Sequence, residues 1–264
     1  MVIAFSFLTK RFSRTQKPTC RPIHSAEAPD VASKRPSSRK HQPFGLEILY
    51  EDRDVIVVNK AAGLLSIGTG RDEGRTAHAS LMDYVQKGNH KSRERVFIVH
   101  RLDRDTSGAL VFARTEEAKS TLQKNWNETE KIYLAMVDGN PDPPEGSISS
   151  YLVENNALRV YSTTDPNLGK LSTTEYKVVK SLGPRALLEI RLLTGRKNQI
   201  RVHLADKGWP IVGDTKYGNK IRDNKRLALH SYQLSFDHPY HGKRLTFTAP
   251  IPDTFHRMSS APPP

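Results

Sequence analysis

The sequence predicts an α+β protein, with a large mixed, mainly antiparallel sheet flanked by helices. Three observations carry this. Short runs of β-branched, aromatic and aliphatic residues, bounded by turn residues, recur along the chain as strands do. Only three stretches show a helical period, and two of them open on a threonine placed to cap the first turn. Between residues 148 and 193 strand follows strand with no helix between, which suits a mixed or antiparallel sheet.

The first 43 residues stand apart from the rest. They hold nine Lys or Arg but only two acids, Glu27 and Asp30, and no period is sustained in them. They read as a disordered basic leader: an unstructured extension with no address, an RNA-binding tail or an organelle transit peptide. Folding is expected over residues 44–258, followed by a tail at 259–264.

Residues 46–50 alternate as a half-buried strand, and residues 55–58 form a more buried one. Thr76 is placed to cap a helix running to Val85. Residues 96–99 and 109–113 are two further apolar strands. Between them lies the polar loop His100-Arg101-Leu102-Asp103-Arg104-Asp105-Thr106-Ser107-Gly108. Taken alone, it reads either as a salt-bridged surface turn or as catalytic groups set on a loop between rigid strands. Thr115 caps a helix to about Trp126, with Glu116 and Glu117 favoured by its dipole. Strands are expected at 131–137, 148–153, 158–162, 173–179 and 186–193, with a Pro- and Gly-rich loop at 138–146. Thr194 and Gly195 are expected to open a helix on which Ile200 and Leu204 share a face. Arg196, Lys197, Asn198 and Arg201 crowd its start, where a phosphate could bind, although from the sequence alone a solvated basic face explains them better. Closing strands are expected at 227–229, 232–236 and 244–247.

A net charge of +13 over 264 residues points to a polyanionic partner, most simply nucleic acid. No apolar run approaches the roughly 18 residues that span a membrane. The single cysteine, Cys20, excludes a disulfide framework and a cysteine-based zinc site, and it fits a reducing compartment such as the cytoplasm. GxxxxGK[ST], GxGxxG and GxSxG are all absent, which disfavours nucleotide cofactors and a serine-hydrolase elbow. His238 and His241 have a spacing that can ligate zinc, but Pro239 opposes the helix that would align them, so no metal is expected. Carboxylate chemistry is the enzyme class that remains.

His100-Arg101-Leu102-Asp103 with Thr106-Ser107-Gly108, followed by Gly195-Arg196 and Gln199-Ile200-Arg201-Val202-His203, resembles the RluA-type pseudouridine synthases. Val57-Val58-Asn59-Lys60 with Gly63-Leu64 is similar to that family's first motif. Lys131 with Tyr133 and Val137 is similar to its tyrosine strand. Ala228-Leu229-His230, Leu234-Ser235-Phe236 and His238-Pro239 are similar to its C-terminal signature. The resemblance spans about residues 46–250. The chain departs from the pattern at Ala61, where proline is usual, at Ser66-Ile67-Gly68, in place of valine-histidine-proline, and at Lys197-Asn198, in place of threonine- or serine-histidine.

The resemblance implies the pseudouridine-synthase fold and the isomerisation of uridine to pseudouridine in structured RNA, ribosomal or transfer. It implies no cofactor. It also implies a catalytic domain without the N-terminal RNA-binding domain of many members, acting on RNA alone or with help from the basic leader; with no coiled-coil heptad or other assembly signal in the sequence, a monomer is expected. Asp103 matches the family's essential carboxylate, acting as nucleophile or as base. Arg201 matches the arginine that pairs with it, and Tyr133 the tyrosine that packs on the flipped base. Arg101 matches the residue that fills the space the base leaves. Lys60, Arg196 and Lys197 are candidates for phosphate contact; His100 and His203 are expected to orient loops. Two alternatives stand beside this: a non-catalytic RNA-binding or assembly factor of the same fold, and a carboxylate-dependent hydrolase or lyase acting on a sugar–base bond.

Overall fold

The computed structural model describes residues 42–68, 75–89, 91–218 and 226–255. Residues 1–41 of the expected leader, Cys20 among them, and the tail at 259–264 lie outside the described residues. Among the described residues, eleven strands form one sheet: β1 (Leu46–Glu51), β2 (Val55–Lys60), β3 (Phe97–Ile98), β4 (Ser107–Ala113), β5 (Glu130–Asp138), β6 (Glu145–Glu154), β7 (Val160–Thr163), β8 (Lys170–Leu182), β9 (Arg185–Leu192), β10 (Leu229–Asp237) and β11 (Arg244–Thr248). Three α-helices accompany them: α1 (Ala77–Gln86), α2 (Glu116–Lys124) and α3 (Gln199–Asp206). The main path runs β1-β2-β4-β10-β5-β9-β8-β6-β7, with β11 on β10 and β3 on β4. The mainly antiparallel expectation holds.

The exception sets the architecture. β4 and β10 run parallel through His230↔Ser107 and Ser231↔Gly108, joining two antiparallel half-sheets. The chains approach closely here because Gly108 has a φ of +113°; a Cβ on it would stand 2.1 Å from the Ser231 carbonyl oxygen. Only glycine meets both demands at this seam. The loop that carries Asp103 runs directly into it.

β2 and β4 are buried on both faces, which explains their unbroken apolar runs. One face packs Ile56, Val58, Leu110 and Phe112 with Leu81 and Val85 of α1, in a core that continues to Ile200 and Leu204 of α3. The other packs Val55, Val57, Ala109 and Val111 with Ala118 and Leu122 of α2. Thr76 and Thr115 cap their helices as expected, accepting from the Ala79 and Ala118 amides at 3.1 and 3.0 Å.

Several boundaries differ from expectation for identifiable reasons. β3 is only two residues long, because Val96 and Val99 are buried without pairing. Ser107 and Gly108 belong to β4 rather than to the turn, since both pair across the seam. Glu145 and Gly146 already pair with β8. The two strands expected at 227–229 and 232–236 are one strand, β10, whose register shifts between Ser231 and Gln233. α3 starts at Gln199 and not at Gly195, because Asn198 is left-handed at φ 54° and the Gln199 Oε1 ties back Thr194 Oγ1 and the Arg196 amide.

Candidate active site

Asp103, Tyr133 and Arg201 come from three separated parts of the chain and line one open cavity. Leu192, Ile200 and Leu229 give it apolar walls, and Arg101 and Arg196 stand at its exposed rim. A partly apolar cavity with a carboxylate in its wall and cations at its rim suits a ring attached to a charged backbone.

Arg201 is 8% exposed, and its guanidinium is held first by a residue the sequence did not single out. Nε and Nη2 donate to the two carboxylate oxygens of Asp214, each at 2.8 Å. Nη1 is left to face Asn198 Oδ1 at 3.3 Å and Asp103 Oδ2 at 3.4 Å. Burial works against this cation, but Asp214 and then Asp103 outweigh it and raise its pKa above the usual guanidinium value. Burial likewise pushes the Asp214 carboxyl up, and the bonds from Arg201 and the Tyr217 and Lys216 amides overcome it, holding it below the usual carboxylate value. The Arg201–Asp103 contact expected from the resemblance is therefore present, but it is the looser arm of a fork clamped by Asp214.

Tyr133 lies on β5 and is 8% exposed. Burial is the main cause of a phenol pKa pushed up to about 12; a hydrogen bond with Ser231 opposes it and the Asp103 charge adds to it. The side chain is thus a neutral phenol at pH 7, presenting a fixed aromatic face beside Asp103.

The expected phosphate contacts divide. Arg196 and Arg101 are exposed, and no ion pair engages either among the described residues. Lys197 is exposed but ion-paired with Glu154. Lys60 corrects the expectation: it is fully buried, and its ammonium donates to the Ala61, Leu64 and Arg104 carbonyls at 2.9, 2.7 and 3.1 Å. Three carbonyls use all three N–H bonds, so no donor remains for a phosphate. Burial pushes its pKa down to about 7, against the charges of Asp105 and Asp103. The basic helix start is also revised, since Arg196 and Lys197 sit in the loop before α3.

His100 and His203 do not line the cavity. His100 Nε2 accepts the Val111 amide at 3.2 Å and its ring lies on Trp126. His203 lies between Thr174 and Ser150 hydroxyls at 2.9 and 3.0 Å. A third ring, His230, has its Nδ1 2.8 Å from the Ser107 hydroxyl, which also accepts from Arg226 Nη2. Burial pushes the three down to about 3, 4 and 4 from a usual 6.5. Each binds its proton more readily in the unfolded chain, so stability is full above about pH 6.5 and falls as acid approaches the folded values. His203 and His230 are fully buried and each contribute about 1.4 kcal/mol per pH unit of that loss; His100, partly exposed, contributes less. Urea unfolding should show stability lower by about 3 to 4 kcal/mol at pH 5 than at pH 7. A flat profile across that window would contradict the neutral assignment.

Asp52, Asp54 and His238 come within metal-binding distance of one another. The Asp52 carboxylate already accepts from the Tyr50 hydroxyl, the Asp54 and Val55 amides and His238 Nε2. His238 Nδ1 accepts from the Tyr240 and His241 amides, which leaves neither of its nitrogens for an ion. This is the geometry of a turn rather than of a metal centre.

Residues 54–206 match the family model described as RNA pseudouridylate synthase. An uncharacterised RNA pseudouridine synthase of Synechocystis sp. is 36% identical over 225 residues, covering 82% of this chain and 69% of that protein. The ribosomal large subunit pseudouridine synthase D of Vibrio cholerae is 35% identical over 237 residues, covering 83% and 72%. Among solved structures, human RNA pseudouridylate synthase domain containing 4 superposes with a TM-score of 0.68 at 24% identity, covering 80% of this chain and 92% of that one. Human RNA pseudouridylate synthase domain containing 1 does so with a TM-score of 0.61 at 25% identity, covering 83% and 96%.

Proposed function

The chain belongs to the RNA pseudouridylate synthase family, of RluA type, and from that premise we propose that Asp103 is the carboxylate through which it isomerises uridine to pseudouridine in RNA. The activity breaks the bond from the ribose to the base nitrogen, turns the base and joins the ribose to carbon 5. The carbon 5 hydrogen is exchanged for one on nitrogen, and no electrons or groups are gained or lost. A redox-neutral rearrangement of this kind calls for no cofactor.

The single observation that carries the assignment is Asp103 at the wall of a partly apolar cavity with Arg201 Nη1 at 3.4 Å. As nucleophile or as base, Asp103 acts through its carboxylate, and Arg201 Nη1 is the cation that faces it. Asp214 supports this role by fixing two of the arginine's nitrogens and leaving the third for Asp103. The neutral Tyr133 ring is the surface on which a flipped uracil would pack. Arg101 and Arg196, exposed at the rim of the cavity, would enter the gap a flipped base leaves and meet the neighbouring phosphates respectively. We assign the cytoplasm as compartment, a monomer as the acting form and no metal to the reaction.

Large-subunit ribosomal RNA is the proposed substrate, supported by the naming of relatives in Vibrio cholerae, Neisseria meningitidis and Zymomonas mobilis. A map of pseudouridines in total RNA from cells with and without the gene tests it. Loss of one or more sites confined to large-subunit RNA is the expected result; loss confined to transfer RNA would overturn the substrate while leaving the chemistry intact.

A further inference from the structure

We propose that Ser66 is a positioning residue for Asp103, a role that rests on the assignment of Asp103 to the reaction. Ser66 is 3% exposed and lies outside the cavity, 36 residues before the loop it holds. Its hydroxyl accepts from the Leu102 amide at 3.0 Å and donates to the Leu102 carbonyl at 2.8 Å. One small side chain therefore fixes both backbone groups of the residue immediately before Asp103. Leu102 is itself buried, so without this hydroxyl both groups would lie in a place with little water to replace it.

The anchor is rigid at its other end. The Ser66 carbonyl accepts the His78 amide at 3.1 Å and the Leu65 carbonyl accepts the Ala77 amide at 2.7 Å. Both donors belong to the first turn of α1, whose free N–H groups need such acceptors. On the far side of Asp103, the Arg104 carbonyl accepts from the Gly63 amide at 2.8 Å and from Lys60 Nζ at 3.1 Å. Asp103 is thus the one residue between two tethered neighbours, and both tethers come from the segment joining β2 to α1. Its carboxylate is left free to face Arg201 while its backbone is not free to move. A side chain without a hydroxyl could make neither bond, so the tether to Leu102 depends on the Ser66 Oγ.

The test compares Ser66→Ala and Ser66→Thr with the wild type. The probe is ribosomal RNA from cells lacking the gene, tritiated at uridine carbon 5. A shift of a fraction of an ångström at Asp103 predicts kcat lower by about tenfold in Ser66→Ala with the apparent KM for RNA within about twofold. Ser66→Thr keeps the hydroxyl and is expected to recover most of the rate. Hydrogen exchange at the Leu102 amide gives an independent readout, expected to be slow in the wild type and at least about tenfold faster in Ser66→Ala. An alanine variant with wild-type kcat, a loss confined to KM, or a folded threonine variant as slow as alanine would each overturn the proposal. Should Ser66→Ala melt below the assay temperature, the threonine variant and the exchange rates decide between the same outcomes. A wild type that forms no pseudouridine in this ribosomal RNA, nor in transfer RNA labelled the same way, would instead overturn the functional reading, and slow Leu102 exchange would still establish the tether.

Discussion

Asp103→Asn is expected to reduce pseudouridine formation by at least about a thousandfold while RNA binding persists. The substitution keeps the shape of the side chain and removes the charge, the nucleophile and the base together. It should leave the fold intact, because the Asp103 side chain is 32% exposed and its contact with Arg201 is long, at 3.4 Å. A partly exposed pair of this kind contributes under about 1 kcal/mol. Single-turnover rates, RNA binding on a filter and a melting curve separate the three effects. Turnover within tenfold of wild type would remove Asp103 from the chemistry.

Arg201→Ala is expected to damage both stability and activity, and the stability loss comes from Asp214 rather than from Asp103. The Asp214 side chain is 1% exposed and loses both of its guanidinium bonds. Leaving a buried carboxylate unpaired costs about 3 to 5 kcal/mol, which lowers the melting temperature of a chain this size by about 10 °C. The double variant Arg201→Ala with Asp214→Asn removes the stranded charge and should regain part of the stability but none of the activity. Wild-type melting of the single variant would contradict the clamp, and an active double variant would contradict the role of the arginine.

Both effects bear on how far the site could be read without coordinates. Asp103, Tyr133 and Arg201 were legible because each sits in a stretch that resembles a known family, and the fold brings the three to one cavity. β2 and β4 were legible because a strand buried on both faces writes a continuous apolar run. The helix starts at Thr76 and Thr115 were legible because capping is local. Asp214 was not legible: it lies in a Pro- and Gly-containing loop with no period, and only the turn of that loop toward α3 gives it a partner. Lys60 misled for a related reason. A lysine after an apolar strand ordinarily extends to water, and three carbonyls contributed by two loops decide otherwise. Ser66 carries no local signal at all, because its partner lies in another loop 36 residues on. The misjudged start of α3 turns on one left-handed residue, Asn198, a conformation asparagine tolerates but does not announce.

The basic excess acquires a more limited meaning as well. Of the four cations first assigned to RNA contact, Lys60 is structural and Lys197 is paired with Glu154, which leaves Arg101 and Arg196 at the rim of the cavity. On the proposed function, electrostatic attraction of RNA would then belong to the surface at large, and the cavity would take the base beside the Asp103 carboxylate.

The most direct measurement follows the carbon 5 hydrogen of uridine. Forming the new carbon–carbon bond expels that hydrogen from the base, whereas binding alone leaves it in place and cleavage of the sugar–base bond releases free uracil. Ribosomal RNA tritiated at uridine carbon 5 should release tritium to water with the wild-type chain, with no free uracil, and with Asp103→Asn it should release none. Free uracil as the product, or equal tritium release by the wild type and Asp103→Asn, would contradict the account.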